Sequence, residues 1–375
     1  MAASLHLRAC KHPPTTIYQL NKKTMKTGVI WTAACAVAIS ATADVELSTS
    51  ADRVETPLSV NMKRVGTLAP RSVKGGYGAK IAAVQKAVDA ASVAEKNGVS
   101  VKKGVRYLGE GRKETLDIYL PANGSGGRVP GIVVIHGGGW RIGDKGDGRE
   151  RNICRRLADA GYVCVSIDYL LCDGIHATWP TNILDCKTAV QWLRVNADRL
   201  NVDPLRIGCI GSSAGGHLCA LLATTGDDVC LRPKSPYGDV DVSVQACVNL
   251  YGAMDPFHLS KKDRWLKSFA AMVGCSADEG REIWLNASPL HRVSAKTCPM
   301  LQVHGDADET VDIEQMYKMK VALDAAGVEN ESLVVPGIGH TFSLDASSDG
   351  KPLPKDVRGS VVKFFDRCLK GREGK

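Results

Sequence analysis

The sequence lacks several patterns that would assign it to common functional classes. No Cys-x-x-Cys pair occurs among its 13 cysteines, so the spacing does not support zinc binding or dithiol redox chemistry. The chain has 48 basic residues against 40 acidic ones, and the basic residues form no dense stripe, which argues against nucleic acid as a partner. No internal repeat or low-complexity tract is visible. What the chain does have is 44% hydrophobic residues over 375 positions, enough to bury a sizeable core.

The first 43 residues contain no acidic side chain and predict an export signal. A basic stretch that ends at Lys26 precedes an apolar run, residues 28–39, and small residues follow up to Ala43. This order is typical of a secretory signal peptide, here residues 1–43, and Met25 is a natural alternative start. The apolar run is shorter than the roughly 20 residues that a membrane-spanning helix needs, so we expect a periplasmic or secreted protein without a stable membrane anchor.

Eleven cysteines lie beyond the predicted signal peptide, an odd number that leaves at least one thiol unpaired. Cys164, Cys209 and Cys247 stand in apolar strand-like runs, where we expect them to be buried as small hydrophobic side chains. A disulfide such as one between Cys172 and Cys186 is conceivable, but the sequence does not establish it.

The remainder of the sequence predicts an arm followed by one large α/β domain. Residues 44–98 are expected to form a linker and a helix over residues 79–96. From residue 99 to 375, strand-like runs alternate with helical patterns, which predicts an α/β fold with a mostly parallel central sheet and helices on both faces. The polar, broken stretch of residues 254–295 is expected to be a small cap insertion. Strands are predicted at residues 101–108, 115–120, 131–135, 162–169, 206–210, 244–250, 299–303 and 332–335, and helices at residues 149–161, 182–200, 218–225, 314–326 and 357–369.

A Gly-Ser-Ser-Ala-Gly motif stands between a predicted strand and a predicted helix. The strand–turn–helix context forces Ser213 at its centre into a sharp, strained turn, and Gly211 and Gly215 leave room for the chain on either side. This places the Ser213 hydroxyl at the N-terminus of a helix, where the helix dipole favours developing negative charge. Because ordinary tight turns contain the same small residues, the motif needs support from elsewhere in the chain.

That support comes from polar residues that follow other predicted strands, since ligands of such sheets bind beyond the carboxyl ends of the strands. Serine needs an adjacent general base, and His340 in the glycine-bearing loop after the last strand is the candidate. A carboxylate must orient that imidazole. We select Asp308, because Asp306 lies in a tight turn that its side chain can serve and Glu309 is expected to face solvent. The order Ser, Asp, His is that of the G-x-S-x-G hydrolases.

Three glycines follow His136 directly after another buried strand. Without side chains, their backbone N–H groups can point at an oxyanion, as the attack of a serine on an ester requires. We assign Gly138 and Gly139 to this oxyanion hole, together with the N–H of Ala214. His136 is expected to hold the loop through a hydrogen bond and not to react.

The motifs HGGGW, GSSAGGH, HGDADETV and GIGH, in this order, resemble those of the α/β-hydrolase superfamily. More narrowly, they are similar to hormone-sensitive-lipase-like carboxylesterases and to bacterial feruloyl or acetylxylan esterases, over about residues 101–369. The resemblance implies the same triad and the same three oxyanion donors as the residues themselves suggest. The chain departs from many relatives at Ser212, where they carry Asp or Glu.

We therefore expect a serine carboxylesterase that works through an acyl-enzyme and needs no metal or organic cofactor. The favoured substrates are small or carbohydrate-linked acetyl or feruloyl esters. Trp140, Tyr169, Trp179 and Trp284 are candidates for an aromatic wall, or else ordinary packing residues. The alternatives are a prolyl-oligopeptidase-like serine peptidase, against which the HGGG loop argues, and a non-catalytic binding module, against which the complete set of triad residues argues.

Overall fold

The computed structural model describes residues 93–96, 98–122, 127–258 and 263–371. The predicted signal peptide and most of the predicted linker and helix, up to residue 92, lie outside the described residues, so these expectations stay predictions. None of the helices in the described ranges combines the length and the apolar character that crossing a bilayer requires.

Strands and helices alternate along most of the described chain. The strands are β1 (Val93–Lys96), β2 (Val99–Arg106), β3 (Thr115–Leu120), β4 (Val129–Ile135), β5 (Val163–Ile167), β6 (Val202–Ser212), β7 (Ala246–Leu250), β8 (Met300–Gly305) and β9 (Asn330–Val335). The α-helices are α1 (Gly148–Asp159), α2 (Thr181–Val195), α3 (Ala214–Thr224), α4 (Asp263–Val273), α5 (Arg281–Asn286), α6 (Glu314–Ala325) and α7 (Val357–Phe365). Short 3-10 turns lie at Val229–Leu231, Pro256–His258 and Pro289–Arg292, and a π-helical turn, Asp366–Lys370, follows α7.

The strands of the described chain form one sheet in the order β1-β2-β3-β5-β4-β6-β7-β8-β9. The edge from β1 to β5 pairs antiparallel, and every pair from β5 to β9 is parallel. Helices α2, α3 and α6 cover one face of the sheet, and α1 and α7 cover the other. The predicted α/β fold with a mostly parallel central sheet and helices on both faces is confirmed.

The central strands explain why the sequence reveals this sheet so clearly. Every residue of β4, β5, β7 and β8 is buried. Parallel strands that are covered by helices on both faces have no polar side, so they appear in the sequence as continuous apolar runs. Their shared direction brings the carboxyl ends of β4, β6, β7, β8 and β9 to one edge of the sheet.

Within the described ranges, no disulfide joins two cysteines. Cys164, Cys209 and Cys247 are fully buried on the sheet, as expected from the apolar runs in which they stand. Cys172 and Cys186 are also buried and are not joined to each other.

The prediction of a helix up to residue 96 is wrong at its end. Residues Val93–Lys96 form strand β1, which pairs antiparallel with β2, with Lys96 opposite Val99. The intervening dipeptide Asn-Gly indicated a helix stop, but it is also the strongest short-range signal for a two-residue hairpin loop, and Gly98 has the positive φ of 80° that such loops need. Pairing with β2 therefore outweighs the helical pattern of the residues before it.

Gly208 in β6 tests how tightly the sheet packs on the C-terminal helix. A Cβ at Gly208 would lie 2.9 Å from Phe365 and 3.0 Å from Ile132. We expect Gly208→Val to lower the free energy of unfolding by about 1–3 kcal/mol, because overpacking displaces well-packed neighbours. Urea unfolding monitored by circular dichroism measures this change. The matched control is Gly109→Val, since the nearest atom to a Cβ there is 3.8 Å away; equal losses in the two variants would contradict the prediction.

Candidate active site

The turn between β6 and α3 holds Ser213 in a strained backbone conformation. Its φ of 54° and ψ of −118° lie outside the regions that residues other than glycine normally adopt. The backbone N–H of Ser213 donates to the carbonyl oxygen of Leu250 at the end of β7, at 2.9 Å, which fixes the turn to the neighbouring strand. The strain predicted from the motif is therefore present, and the turn lies at the carboxyl edge of the sheet.

Close packing on both sides of Ser213 requires glycine. A Cβ at Gly215 would lie 2.1 Å from the carbonyl oxygen of Ile135, and one at Gly211 would lie 2.3 Å from that of Gly215. Helix α3 accordingly begins at Ala214, four residues before the predicted start at residue 218. Two glycines in the first turn hid this start, because glycine is a poor helix former and only tertiary packing holds it there.

Ser213, His340 and Asp308 are joined by two hydrogen bonds. The Nε2 atom of His340 lies 2.9 Å from Oγ of Ser213, and its Nδ1 atom lies 2.6 Å from Oδ2 of Asp308. Because a carboxylate can only accept, Nδ1 carries the proton and Nε2 is free to accept from the serine hydroxyl. The structure thus brings together the three side chains that the sequence proposed as a triad, in the tautomer that a general base requires.

The loop after β8 holds the Asp308 carboxylate rigidly. The side chain has no exposed surface, and its Oδ1 accepts the backbone N–H groups of Thr310 and Val311 at 2.8 and 3.0 Å. Burial acts to raise the pKa of Asp308, but hydrogen bonds from His304 and His340 outweigh it and hold the pKa well below its usual range. The carboxylate is therefore a fixed negative charge at working pH. His304 was missed in the sequence, although it stands four residues before Asp308 at the end of β8.

The two other acidic candidates in this loop have different surroundings from Asp308. Asp306 accepts the backbone N–H of Gly337 at 2.6 Å, so its side chain bonds to backbone as expected, but to that of the loop after β9 and not to its own turn. Glu309 is exposed, as expected. The geometry favours Asp308 because its carboxylate is the one bonded to Nδ1 of His340.

His136 fixes the first peptide of the glycine loop. Its Nδ1 donates to the carbonyl oxygen of Gly137 at 2.6 Å, and its ring stacks on Tyr169 at a centroid distance of 4.4 Å. Because the peptide unit is planar and trans, pinning the Gly137 carbonyl directs the N–H of Gly138 the opposite way. Burial lowers the pKa of His136, so the ring stays neutral and supports the loop without titrating.

The next peptide is held by the loop itself. The carbonyl oxygen of Gly138 accepts the N–H groups of Arg141 and Ile142, both at 3.1 Å, which directs the N–H of Gly139 away from these donors. At Gly138, φ is 113° and a Cβ would lie 1.9 Å from the carbonyl oxygen of Ile142, so only glycine fits. The N–H of Ala214, at the first position of α3, is among those that helices leave without an intrahelical partner.

A buried charge pair that the sequence did not reveal lies behind the nucleophile turn. The Glu150 carboxylate, fully buried on α1, accepts from Ser212 Oγ at 3.1 Å and from Arg149 Nε at 2.9 Å. Burial acts to lower the pKa of Arg149, but contacts with Tyr251 and Glu150 outweigh it and raise the pKa, so the guanidinium stays charged. The Tyr251 ring in turn lies 4.9 Å from that of His340. Helix α1 thus places a carboxylate beside Ser212, where many relatives carry an acid on the turn itself.

A small apolar pocket opens beside Ser213. It occupies about 280 Å³, its open mouth included, and its walls include Trp140, Ala253, Trp265 and Val311. Trp265 comes from α4, within the predicted insertion, and a Cβ at Gly139 in the glycine loop would lie 3.1 Å from its ring. Part of this volume is open to solvent, so the enclosed space beside Ser213 is narrow.

The four aromatic residues proposed as a substrate wall have different positions. Trp140 lines the pocket. Tyr169 and Trp284 are almost fully buried in the core, and Trp179 packs against it. Packing is therefore the role of Tyr169 and Trp284, and the sequence reasoning missed Trp265.

Comparison with known proteins gives consistent matches. The family model BD-FAE matches residues 116–323. "Esterase LipC" of Mycobacterium tuberculosis is 34% identical over 63% of this chain and 59% of its own length. "Esterase LipQ" of the same organism is 29% identical over 72% of this chain and 64% of its own length. The chain thus spans about three fifths of the length of these curated relatives.

Solved structures match over most of the described chain. A "truncated form of carbohydrate esterase from gut microbiota" aligns with a TM-score of 0.62 at 24% identity, over 74% of this chain and all of that one, and shows the fold. An "acetyl ester-xyloside bifunctional hydrolase" from Caldicellulosiruptor lactoaceticus aligns with a TM-score of 0.59 at 26% identity, over 68% of this chain and 89% of that one. Both matched structures have the α/β-hydrolase fold predicted from the motifs.

The hydrogen bond between Asp308 and His340 predicts how Ser213 reacts. We expect Asp308→Asn to slow the labelling of Ser213 by a fluorophosphonate probe by roughly a thousandfold or more, because the amide no longer holds the imidazole in the tautomer that accepts the serine proton. Labelling rates followed by intact-protein mass spectrometry measure this change. Glu309→Gln, at the neighbouring exposed carboxylate, is the matched control and should label at the rate of the unmodified protein. A larger loss in Glu309→Gln than in Asp308→Asn would reverse the assignment.

Proposed function

The chain belongs to the BD-FAE family, and from that premise we propose that it is a serine carboxylic-ester hydrolase that works through an acyl-enzyme. The single observation that carries the proposal is the hydrogen-bonded line from Asp308 through His340 to Ser213. It lies beside a loop in which only glycine fits at Gly138. A hydroxyl, a base and an orienting carboxylate in this arrangement are what nucleophilic attack on an ester needs.

The geometry supports the following sequence of events. Ser213 Oγ attacks the ester carbonyl carbon while His340 Nε2 takes its proton, and the charge on the imidazolium is balanced by Asp308. The negative charge that develops on the carbonyl oxygen is stabilised by the N–H groups of Gly138 and Gly139, with that of Ala214 completing the hole. His340 then returns the proton to the leaving alcohol.

Hydrolysis of the acyl-enzyme uses the same groups, with water in the place of Ser213 as the nucleophile. A water molecule takes the place of the alcohol, His340 removes its proton, and the same N–H groups stabilise the second tetrahedral intermediate. Collapse of that intermediate breaks the bond to Ser213 Oγ, which regains its proton from the imidazolium. Both halves of the reaction use the residues of the triad and of the oxyanion hole.

The pocket suggests a short acyl group. Its small volume and the indole walls of Trp140 and Trp265 suit an acetyl group better than the bulky, rigid feruloyl group. One matched structure is described as an "acetyl ester-xyloside bifunctional hydrolase" and another as a carbohydrate esterase, which supports a carbohydrate as the alcohol. Acetylated polysaccharide fragments are therefore the proposed substrates, ahead of feruloyl esters and of simple short-chain esters.

The alternatives from the sequence have weaker support. The curated relatives and solved structures quoted above are esterases and carbohydrate esterases, which argues against a prolyl-oligopeptidase-like peptidase. The contact of all three triad side chains argues against a non-catalytic binding module. Export through the N-terminal signal remains part of the proposal and accords with a polysaccharide substrate outside the cell.

An ester panel tests the proposed function. The panel runs from p-nitrophenyl acetate to long-chain esters and adds acetylxylan, methyl ferulate and an aminoacyl-anilide. We expect the highest kcat/KM on acetyl esters, with Ser213→Ala lowering kcat by roughly 10⁴-fold or more. Ser212→Ala is the matched control, since its hydroxyl contacts Glu150 and not His340, and it should retain most of the activity. Turnover of the anilide alone, or full activity in Ser213→Ala, would refute the proposal.

Trp265 predicts the preferred acyl length. Trp265→Ala removes one wall of the pocket, so we expect kcat/KM for a hexanoyl ester relative to the acetyl ester to rise by roughly tenfold, because added space accommodates further methylenes. Leu266→Ala, on the exposed side of α4, is the control and should leave the ratio unchanged. Ratios measured with p-nitrophenyl esters report the effect, and an unaltered ratio in Trp265→Ala would place the acyl chain elsewhere.

A further inference from the structure

The insertion, residues 254–295, directly contacts the glycine loop, which provides the N–H groups of the proposed oxyanion hole. Ser268, buried on α4, donates its hydroxyl proton to the carbonyl oxygen of Gly139 at 2.8 Å. The Gly139 carbonyl belongs to the last peptide of the glycine run, and the loop's own backbone holds the preceding one. The insertion therefore supplies a constraint on the glycine run.

Such a constraint matters because glycines have no conformational preference of their own. Gly138 and Gly139 both adopt positive φ, at 113° and 60°, and nothing in their own chemistry selects these values over others. The direction of each N–H follows from the peptide plane in which it lies. Once the carbonyls of Gly137, Gly138 and Gly139 are all bonded, by His136, by the loop and by Ser268, rotation about the glycine bonds is blocked at each step.

A second contact ties the same loop to the insertion through a buried histidine. The indole N–H of Trp140 donates to Nδ1 of His217 at 3.1 Å, and Nε2–H of His217 donates to the carbonyl oxygen of Ala287 at 2.7 Å. The rings of Trp140 and His217 both pack edge-on against Phe269 of α4, at 5.4 and 5.7 Å. Burial lowers the pKa of His217 to about 4, so the ring stays neutral near pH 7 and keeps both hydrogen bonds.

We propose that the insertion completes the oxyanion hole, with Ser268 as a positioning residue that fixes the peptide between Gly139 and Trp140, and so the ψ angle of Gly139, and with His217 as the link that fixes Trp140 to residue 287. This inference rests on the proposed esterase function, since a hole matters only if an oxyanion forms. The insertion then has two roles: it lines the acyl pocket, and it fixes the conformation of the glycine loop. The hole has its reactive shape when α4 is docked on the loop.

Ser268→Ala is the direct test. Loss of the hydroxyl frees the peptide between Gly139 and Trp140, so we expect kcat on p-nitrophenyl acetate to fall by about tenfold. This is less than the roughly 10²–10³ loss seen when an oxyanion-hole donor itself is removed. KM should change little, because the hole binds the transition state more strongly than the substrate. Affinity for a boronic acid that forms a tetrahedral adduct with Ser213 should fall by the same factor as kcat. Lys267→Ala, exposed on the same helix, is the control.

The readouts separate a positioning role from a merely structural one. A drop in thermal midpoint with unchanged kcat at 25 °C, or a rise in KM with unchanged boronate affinity, would overturn the proposal. If the unmodified protein hydrolyses no ester, the proposed function fails first. If it does and Ser268→Ala matches it in both kcat and boronate affinity, only this inference fails.

His217→Asn tests the second contact independently. An asparagine oxygen can accept from Trp140 near the position of Nδ1, but the side chain is too short to reach the carbonyl oxygen of Ala287. We expect the same pattern as for Ser268→Ala, a loss in kcat and in boronate affinity with little change in KM. Wild-type values of both in folded His217→Asn would remove His217 from the proposal.

Discussion

The left-handed backbone at Ser213 is the constraint on which the rest of the site depends. A residue other than glycine in such a conformation costs about 1–3 kcal/mol and persists only where its surroundings impose it. Here the imposing contacts are the bond from Ser213 N–H to Leu250 and the packing of Gly215 against Ile135, which come from the strands on either side of β6. The stability of the parallel sheet thus holds the half-buried nucleophile in a strained turn.

The histidines around this turn differ in burial, and their roles differ accordingly. His136 and His217 are fully buried, their pKa values are lowered by desolvation, and both serve as neutral hydrogen-bonding links in the oxyanion loop. The side chain of His340 is 14% exposed and contacts the ionised Asp308. One imidazole therefore lies where a substrate can reach it and is hydrogen-bonded to the Asp308 carboxylate, while the others hold the structure around it.

The predictable parts of the molecule are those with a local signature. Continuous apolar runs predicted the central strands, and the motifs around Ser213 and His340 predicted which loops meet, because parallel strands end at one edge. Contacts between distant elements carry no such signature: nothing near Ser212 indicates that Glu150 on α1 lies against it, and nothing in the insertion marks Ser268 as a partner of the glycine loop. The strand at Val93–Lys96 was missed for a different reason: the Asn-Gly after it fits a hairpin loop as well as a helix stop, and only the pairing with β2 decides between them.

Covalent chemistry at Ser213 can be observed directly by stopping the protein with acid during turnover of p-nitrophenyl acetate and mapping the digest by mass spectrometry. The expected result is one acetyl group on Ser213, with none on the adjacent Ser212, and its accumulation should match the burst of p-nitrophenol. An acetyl group on a different side chain, or steady turnover with unmodified Ser213 at every time point, would contradict an acyl-enzyme formed at this turn.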